Sequence, residues 1–202
     1  MTEHAHEHDH DHDDVHEHEP VDTEEARAEA EAEARRRLAL AQIRQYGDPA
    51  LRLKAHAVED FDDDLRRLVD RMTTLMHDAQ GVGLAATQVG VLRRLFVFAP
   101  DEDGPRVVVN PTLASVGEEQ EEDSEGCLSL QGVRVPVERP LEVVLEGKDA
   151  DGADVRYELE GYGARIAQHE LDHLDGVLII DRTDDEHRKE ALGTLRPRVT
   201  LR

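Results

Sequence analysis

Two histidines in the stretch AQHELDHLDG, residues 167–176, have the spacing of metal ligands. His169 and His173 are four residues apart, and 3.6 residues per helical turn bring both rings to the same face of a helix. Glu170 directly follows the first histidine and can act as a base that activates water. Paired histidines on a helix can also be ordinary core residues, so the motif alone leaves metal binding and packing both open. A catalytic metal centre needs a third protein ligand.

The extended zinc-peptidase pattern HExxHxxGxxH offers one source for the third ligand, downstream of the motif. Gly176 matches this pattern, but Ile179 stands where the third histidine is required. The interpretation as a general metallopeptidase therefore fails at its defining residue. Acidic candidates remain further along, in a polar segment typical of a surface: Asp181, Asp184, Asp185 and Glu186.

The one cysteine of the chain is the other candidate for the third ligand. Cys127 lies in EGCLSL, and although a lone cysteine can be a small buried hydrophobe, its thiolate is a good soft metal ligand. Together with His169 and His173 it would leave one coordination position open for water, as catalytic sites do. Asp172, three residues after His169, is a candidate acceptor for the N–H of a ligand imidazole, with an exposed helix acid as the alternative.

Composition limits the classes of partner and location. The 202 residues carry a net charge of −23, and the first 25 hold 11 acidic residues, seven of the 12 histidines and no Lys or Arg. Without those 25 residues the charge is −12, and so acidic a surface offers no basic patch for nucleic acid or anionic lipid. No apolar run is long enough to span a membrane, and no secretory signal is recognisable. A single cysteine fits a reducing cytosol. We expect a cytoplasmic protein that binds neither membrane nor nucleic acid directly.

The sequence pattern divides the chain into three regions. Residues 1–21 are a low-complexity tail of histidines and acids, which we expect to be disordered, with weak metal capture by the histidines as the alternative. Residues 22–43 predict a helix with a capping-box-like start at Asp22 and Glu25, polar for three turns and apolar only near its end. Residues 44–202 predict the main domain.

Hydrophobic periodicity in the main domain predicts an α+β fold. Helices are expected over 60–79, around 162–175, where the HExxH motif lies, and over 185–195. Strands are expected over 95–99, 107–110, 133–137, 141–147 and 156–161, and the acidic stretch 117–126 is expected to be a loop. Because the strands precede the motif helix rather than alternate with helices, we expect antiparallel or mixed β-sheets packed around a central helix that carries HExxH.

Three segments together resemble the peptide deformylase family: GVGLAATQ (81–88), EGCLS (125–129) and QHELDHLDG (168–176). Their order and spacing match that family, and QYGDPALR (45–52) resembles its usual entry into the domain. The resemblance covers roughly residues 42–195, so residues 44–202 are expected to form a deformylase-like catalytic domain.

The resemblance implies an enzyme that removes the formyl group from the N-terminal methionine of newly synthesised polypeptides and releases formate. It implies a cation bound by Cys127, His169 and His173, with Glu170 as general base. The side-chain amide of Gln88 and the backbone N–H of Leu128 would donate to the oxyanion. The family's usual metal is Fe²⁺, for which Zn²⁺, Ni²⁺ or Co²⁺ can substitute. Transient proximity to the ribosome is expected. A metal-buffering protein with an inactive deformylase-like domain is the alternative, and the intact chemistry residues argue against it.

The resemblance also implies a substrate site. Gly81 and Gly83 let a peptide backbone approach closely, as in strand addition at a sheet edge. The other expected substrate-binding residues, some of which form an apolar pocket for the methionine side chain, are Val82, Leu84, Glu125, Gly126, Arg134, Tyr162 and Ile166. The chain departs from the family pattern at Gln131, where proline is frequent, and at Gly163, where a larger apolar residue is usual. Both are expected to adjoin the pocket.

Overall fold

The structure, a computed structural model, describes residues 23–196, so the predicted tail over 1–21 lies outside the described residues. This part of the chain contains four α-helices: α1 (Thr23–Leu40), α2 (Asp63–Asp78), α3 (Gly161–Leu174) and α4 (Asp185–Leu195). It also contains seven β-strands: β1 (Gly83–Ala85), β2 (Leu95–Phe98), β3 (Arg106–Val116), β4 (Gln120–Gly126), β5 (Arg134–Pro140), β6 (Glu142–Lys148) and β7 (Asp154–Glu160). Short 3-10 turns lie at Pro49–Arg52, Ala86–Val89 and Ile179–Asp181. The predicted α+β class is confirmed.

The strands form two antiparallel sheets. Five strands in the order β1-β2-β3-β6-β7 make the larger sheet, and β4 pairs with β5 in the second. β2 divides the core into two layers, because successive side chains of a strand point to opposite faces. Leu95 and Val97 pack in a cluster with α2 and the end of α1, whereas Phe96 and Phe98 pack in a cluster with α3. The larger sheet therefore lies between α2 and α3.

The acidic stretch 117–126, which we expected to be a loop, is mostly strand. β4 pairs in register with β5, from Gln120 opposite Pro140 to Gly126 opposite Arg134. The first five residues of β4 are exposed, so the stretch lacks the apolar alternation by which a strand is recognised in sequence. The loop prediction was wrong because β5, which alternates buried and less buried residues, supplies the inward face for both strands.

α1 docks on the body of the protein only at its last turn. Ala39 and Leu40 are buried, as is Ile43 just beyond the helix, and all three join the cluster formed with α2. The preceding turns, rich in Glu and Arg, have no buried residue from Glu24 to Leu38. The helix therefore ends at a fixed position beside α2, while most of its length meets solvent.

α3 carries the HELDH segment between two glycines with positive φ. Gly161 at its start has φ +54°, and Gly176 beyond its end has φ +75°. A Cβ at Gly176 would lie 2.6 Å from the carbonyl oxygen of Arg52, so both the backbone conformation and the close approach require glycine there. Within residues 23–196, no helix is long and apolar enough to cross a bilayer.

Candidate metal centre and active site

Three ligand groups converge where β4 meets α3. Cys127 follows the last residue of β4, and α3 presents His169 and His173 one turn apart. Their potential metal-ligating atoms all lie within 4.8 Å of one another, and Cys127 Sγ is 3.2 Å from His173 Nε2. The structure thus brings together the three residues that the sequence put forward as ligands.

The electrostatics of these three residues suit a bound cation. Burial and the neighbouring charge of His169 lower the pKa of His173 well below its ordinary value, so its imidazole is in the neutral form that metals require. Burial also acts to lower the pKa of His169, but its contacts with Cys127 and Glu125 raise that pKa well above the ordinary value. The position beside Cys127 therefore attracts positive charge, which a metal can supply in place of a proton. One sulfur and two nitrogen donors fit a divalent transition metal.

Glu125 fixes the orientation of the His169 ring. Its Oε2 lies 3.0 Å from His169 Nδ1, which leaves Nε2 as the ligating nitrogen. The carboxylate also accepts hydrogen bonds from Arg139 Nε and Nη2, at 2.7 and 2.9 Å, and from Arg165 Nη1 at 3.0 Å. Burial alone would raise the pKa of Glu125, but the hydrogen bonds from Arg139 and His169 lower it to about 2. Glu125 is therefore an ionised partner of a ligand histidine, at the border of the cavity described below.

Asp172 neither contacts a ligand histidine nor is exposed, so both alternatives considered for it are wrong. Its carboxylate accepts from Arg139 Nη1 at 2.8 Å and from Arg182 Nε at 3.1 Å, because its position on α3 faces β5 rather than the metal ligands. Arg139 thus bridges Glu125 and Asp172, a role that we did not predict. The signal was present in VRVPVER, since the alternation that buries Val135 and Val137 also turns Arg139 inward.

Gln88 is held in a fixed orientation beside Cys127. Its Oε1 accepts from the backbone N–H of Ala85 at 2.8 Å, so its Nε2 is the end that points toward the cysteine. Nε2 donates to Ser129 Oγ at 3.1 Å and to Cys127 Sγ at 3.6 Å. The backbone N–H of Ser129 also donates to Cys127 Sγ, at 3.4 Å. We did not predict a role for Ser129, although its position in the cysteine motif EGCLS could have indicated one.

Glu170 is buried next to the ligands and packs against a glycine of β1. Only 3% of the residue is exposed, and burial raises the pKa of its carboxyl group to about 7. Its Oε2 has no hydrogen-bond partner among residues 23–196. A Cβ at Gly83 would lie 2.3 Å from Glu170 Oε1, so the absence of a side chain at Gly83 makes room for the carboxylate.

A cavity of about 600 Å³ opens beside the ligands, with Cys127, His169 and Glu170 in its wall. Most of the predicted substrate-binding residues also line it: Gly81, Val82, Gly83, Glu125, Gly126, Arg134, Tyr162 and Ile166. Arg134 is held there by the carbonyl oxygen of Ser124, to which its Nη2 donates at 2.8 Å. Two lining residues that the sequence did not indicate, Arg36 and Leu40, come from α1.

Two expected pocket positions face elsewhere. The side chain of Leu84 is fully buried in the cluster with α2, because it points to the opposite side of β1 from Gly83. Gly163 faces Pro100: a Cβ added at Gly163 would lie 3.2 Å from the Cβ of Pro100. Gln131, the other departure from the family pattern, does line the cavity.

The polypeptide deformylase family model matches residues 40–189. The chain belongs to the peptide deformylase family. Peptide deformylase 1 of Corynebacterium glutamicum is 46% identical over 162 residues, which cover 79% of this chain and 96% of that protein. The peptide deformylase of Acidothermus cellulolyticus is 48% identical over 160 residues, 79% of this chain and 87% of that one. The crystal structure of peptide deformylase from Thermotoga maritima superposes with a TM-score of 0.69 at 45% identity, over 70% of this chain and 96% of that one.

Membership of the peptide deformylase family establishes the reaction. The chain is a metal-dependent hydrolase that removes the N-formyl group from the N-terminal methionine of newly synthesised polypeptides, and the prediction of family and activity from three short motifs is confirmed. The segment matched by the family model begins at residue 40, so all of α1 except Leu40 precedes that segment.

Proposed function

We propose that deformylation takes place at the centre formed by Cys127, His169 and His173, with Glu170 as general base. The observation that carries this assignment is the convergence of the three ligand groups within 4.8 Å of one another, beside a cavity that has Glu170 in its wall. A divalent cation held by the three residues would polarise the formyl carbonyl and lower the pKa of a water molecule toward neutrality. We propose Fe²⁺ as the native ion and Zn²⁺, Ni²⁺ or Co²⁺ as substitutes, since a sulfur and two nitrogens can bind all four.

Glu170 would carry the proton of the reaction. Its carboxylate takes a proton from the attacking water and returns it to the amine that leaves. A pKa of about 7, raised by burial, suits a group that must both accept and release a proton near neutral pH. The Oε2 atom, without a partner among the described residues, is available as the acceptor.

Gln88 and Leu128 would stabilise the negative charge that develops on the formyl oxygen. The hydrogen bond from Ala85 N–H holds the Gln88 amide with Nε2 toward the ligands, so the donor is in place before the reaction begins. The backbone N–H of Leu128, directly after the ligand cysteine, would be the second donor.

The peptide would bind along β1 and the segment before it. β1 is the outer strand of the larger sheet and pairs on one side with β2, so its other edge can accept a substrate strand. Gly81 and Gly83 allow the close approach, and Leu84 contributes through its backbone. Val82, Tyr162 and Ile166 would enclose the methionine side chain, while Arg134 and the Glu125–Gly126 backbone would meet the substrate carbonyl and amide groups.

We infer that α3 is the central scaffold of the active site. It contacts β1, β2, β5, β6 and β7 and supplies two ligands and the base. We further propose a catalytic domain over residues 44–202, preceded by the helix predicted for 22–43 and the tail over 1–21.

The substrate, a newly made polypeptide, supports a cytoplasmic location and transient proximity to the ribosome. Ile179, where a general zinc peptidase would have its third histidine, is buried in an apolar cluster, which supports the deformylase assignment over that alternative.

The test is formate release from formyl-Met-Ala by protein loaded anaerobically with Fe²⁺ or Ni²⁺, with metal content measured on every sample. Glu170→Gln should keep the metal and lose turnover by about a hundredfold or more. Cys127→Ala should lose metal affinity as well. Glu59→Gln changes an exposed acid that does not line the cavity, so it is the matched control and should behave as wild type. Fully metallated wild type that releases no formate would refute the proposal.

A further inference from the structure

α1 forms part of the wall of the substrate cavity. Arg36 and Leu40, four residues apart and therefore on the same face of the helix, both line it. Leu40 is 8% exposed and packs in the cluster that includes α2. Because this turn is anchored in the core, the backbone of Arg36 one turn earlier has a fixed position beside the cavity.

The guanidinium group of Arg36 has unused hydrogen-bonding capacity. Its Nε is buried without a partner among residues 23–196. The nearest carboxylate, that of Glu33, is 3.9 Å from Nη1, at the outer limit of an ion pair. Only this one donor is buried; 38% of the Arg36 side chain is exposed, so an anion that enters the cavity can reach the guanidinium without a large desolvation cost.

The other two arginines of the cavity wall are already engaged. Arg165 donates to the Glu125 carboxylate and to two backbone carbonyls, those of Val137 and Glu121. Arg134 donates to the hydroxyl and the carbonyl of Ser124. Arg36 is therefore the arginine of this wall that makes no side-chain hydrogen bond among the described residues, and its long ion pair with Glu33 leaves room for a new anionic partner.

Charge and position indicate what that partner is. A free guanidinium makes its strongest contacts with a carboxylate, which it can bind through two parallel hydrogen bonds. The molecules that enter this cavity are peptides, so the carboxylate must come from an Asp or Glu side chain. α1 supplies no metal ligand, base, oxyanion donor or methionine-pocket residue of the proposed site, so we assign Arg36 to substrate residues beyond the formyl-methionine. It also precedes the segment matched by the family, which begins at residue 40.

We propose that Arg36 binds an acidic side chain of the substrate, in the few residues that follow its formyl-methionine, and so gives this enzyme a preference for acidic N-terminal segments. The inference rests on deformylation at the centre described above. It adds a specificity determinant supplied by a helix that, except for Leu40, precedes the segment matched by the family model.

The experiment compares kcat/KM for formyl-Met-Ala-Glu-Glu-Ser with that for its neutral twin, formyl-Met-Ala-Gln-Gln-Ser. Wild type should favour the acidic peptide by about fivefold at low ionic strength, the upper range for a partly exposed ion pair, and the preference should shrink as salt is added. Arg36→Gln should bring the ratio near one through a higher KM for the acidic peptide with little change in kcat. Arg36→Lys, which keeps the charge but not the fork, should retain part of the preference.

Two neighbouring arginines provide matched controls. Arg35 and Arg37 are exposed, carry the same charge and stand in the same helix, so Arg35→Gln and Arg37→Gln should keep the wild-type ratio. Equal loss in all three variants would show a long-range charge effect and overturn the contact, as would wild type that cleaves both peptides equally well. Release of formate from neither peptide would instead refute the proposed function. The thermal unfolding midpoint of each variant is measured as well, and a wild-type value would show that the substitution has not destabilised the fold.

Discussion

The substitution Gly83→Ala should displace the proposed base, Glu170, without changing the metal ligands. The added Cβ would lie 2.3 Å from Glu170 Oε1 and 2.8 Å from its Cδ, whereas carbon–oxygen contacts in proteins are usually about 3.3 Å or longer. The carboxylate would have to retreat by about 1 Å. Glu170 is only 3% exposed and sits on a helix packed against the sheet, so the space for that movement has to be made by displacing its neighbours.

The size of the effect follows from this displacement. A misplacement of about 1 Å of a catalytic group can cost about a hundredfold in rate, and overpacking a well-filled site costs about 1–3 kcal/mol of stability. We therefore expect Gly83→Ala to lower kcat for formyl-Met-Ala by about a hundredfold, the same order as the loss expected from removing the base itself. Metal content should stay at the wild-type level, because Cys127, His169 and His173 are untouched.

The assay needs three readouts on one sample: kcat and KM from formate release, bound metal per chain, and the thermal unfolding midpoint. Gly193→Ala is the matched control, since a Cβ there meets no atom within 4 Å and the residue is exposed on α4. That variant should keep full activity and gain up to about 1 kcal/mol, as alanine does in place of glycine inside a helix. A Gly83→Ala protein with kcat within threefold of wild type and full stability would show that the carboxylate is not held against Gly83.

The buried charges behind the ligands yield two contrasting predictions. Glu125→Gln should weaken metal binding by about tenfold to a hundredfold and lower the unfolding midpoint, because His169 loses the anion that orients its ring. Glu122→Gln, at an exposed position of the same strand, is the control and should change neither quantity. Unchanged metal affinity in Glu125→Gln would contradict the orienting role of Glu125. Asp172→Asn should cost about 3 kcal/mol of stability, because Arg139 loses a buried partner, yet leave metal affinity within about twofold, since Asp172 touches neither ligand histidine. Chemical denaturation with metal titration measures both quantities, and a parallel loss of metal affinity in Asp172→Asn would restore Asp172 as a partner of the ligands.

The sequence was most informative where chemistry is local. HELDH predicts its own geometry because residues i and i+4 lie on the same face of any helix. Cys127 was a candidate ligand by residue type, and the resemblance of EGCLS to the family motif favoured that role. Contacts between distant segments were harder to foresee. β4 looks like a loop in the sequence because its exposed acidic residues show no alternation of apolar and polar side chains. Asp172 accepts hydrogen bonds from Arg139 rather than from a histidine. Arg36 carries no motif, and only the docking of Leu40 reveals that it reaches the cavity.

Of the seven residues of β4, all of them described, only Glu125 is buried. The strand that delivers Cys127 is thus anchored by pairing with β5 and by one carboxylate, whose partners are Arg139, Arg165 and His169. An apolar residue at this position could fill the space but would orient no imidazole, and it would leave Arg139 and Arg165 without their shared anion. The same carboxylate therefore links β4 to β5 and α3 and positions a metal ligand. For this reason a substitution at Glu125 should change both stability and metal affinity. A substitution at Asp172, which is linked to Glu125 through Arg139, should change stability alone.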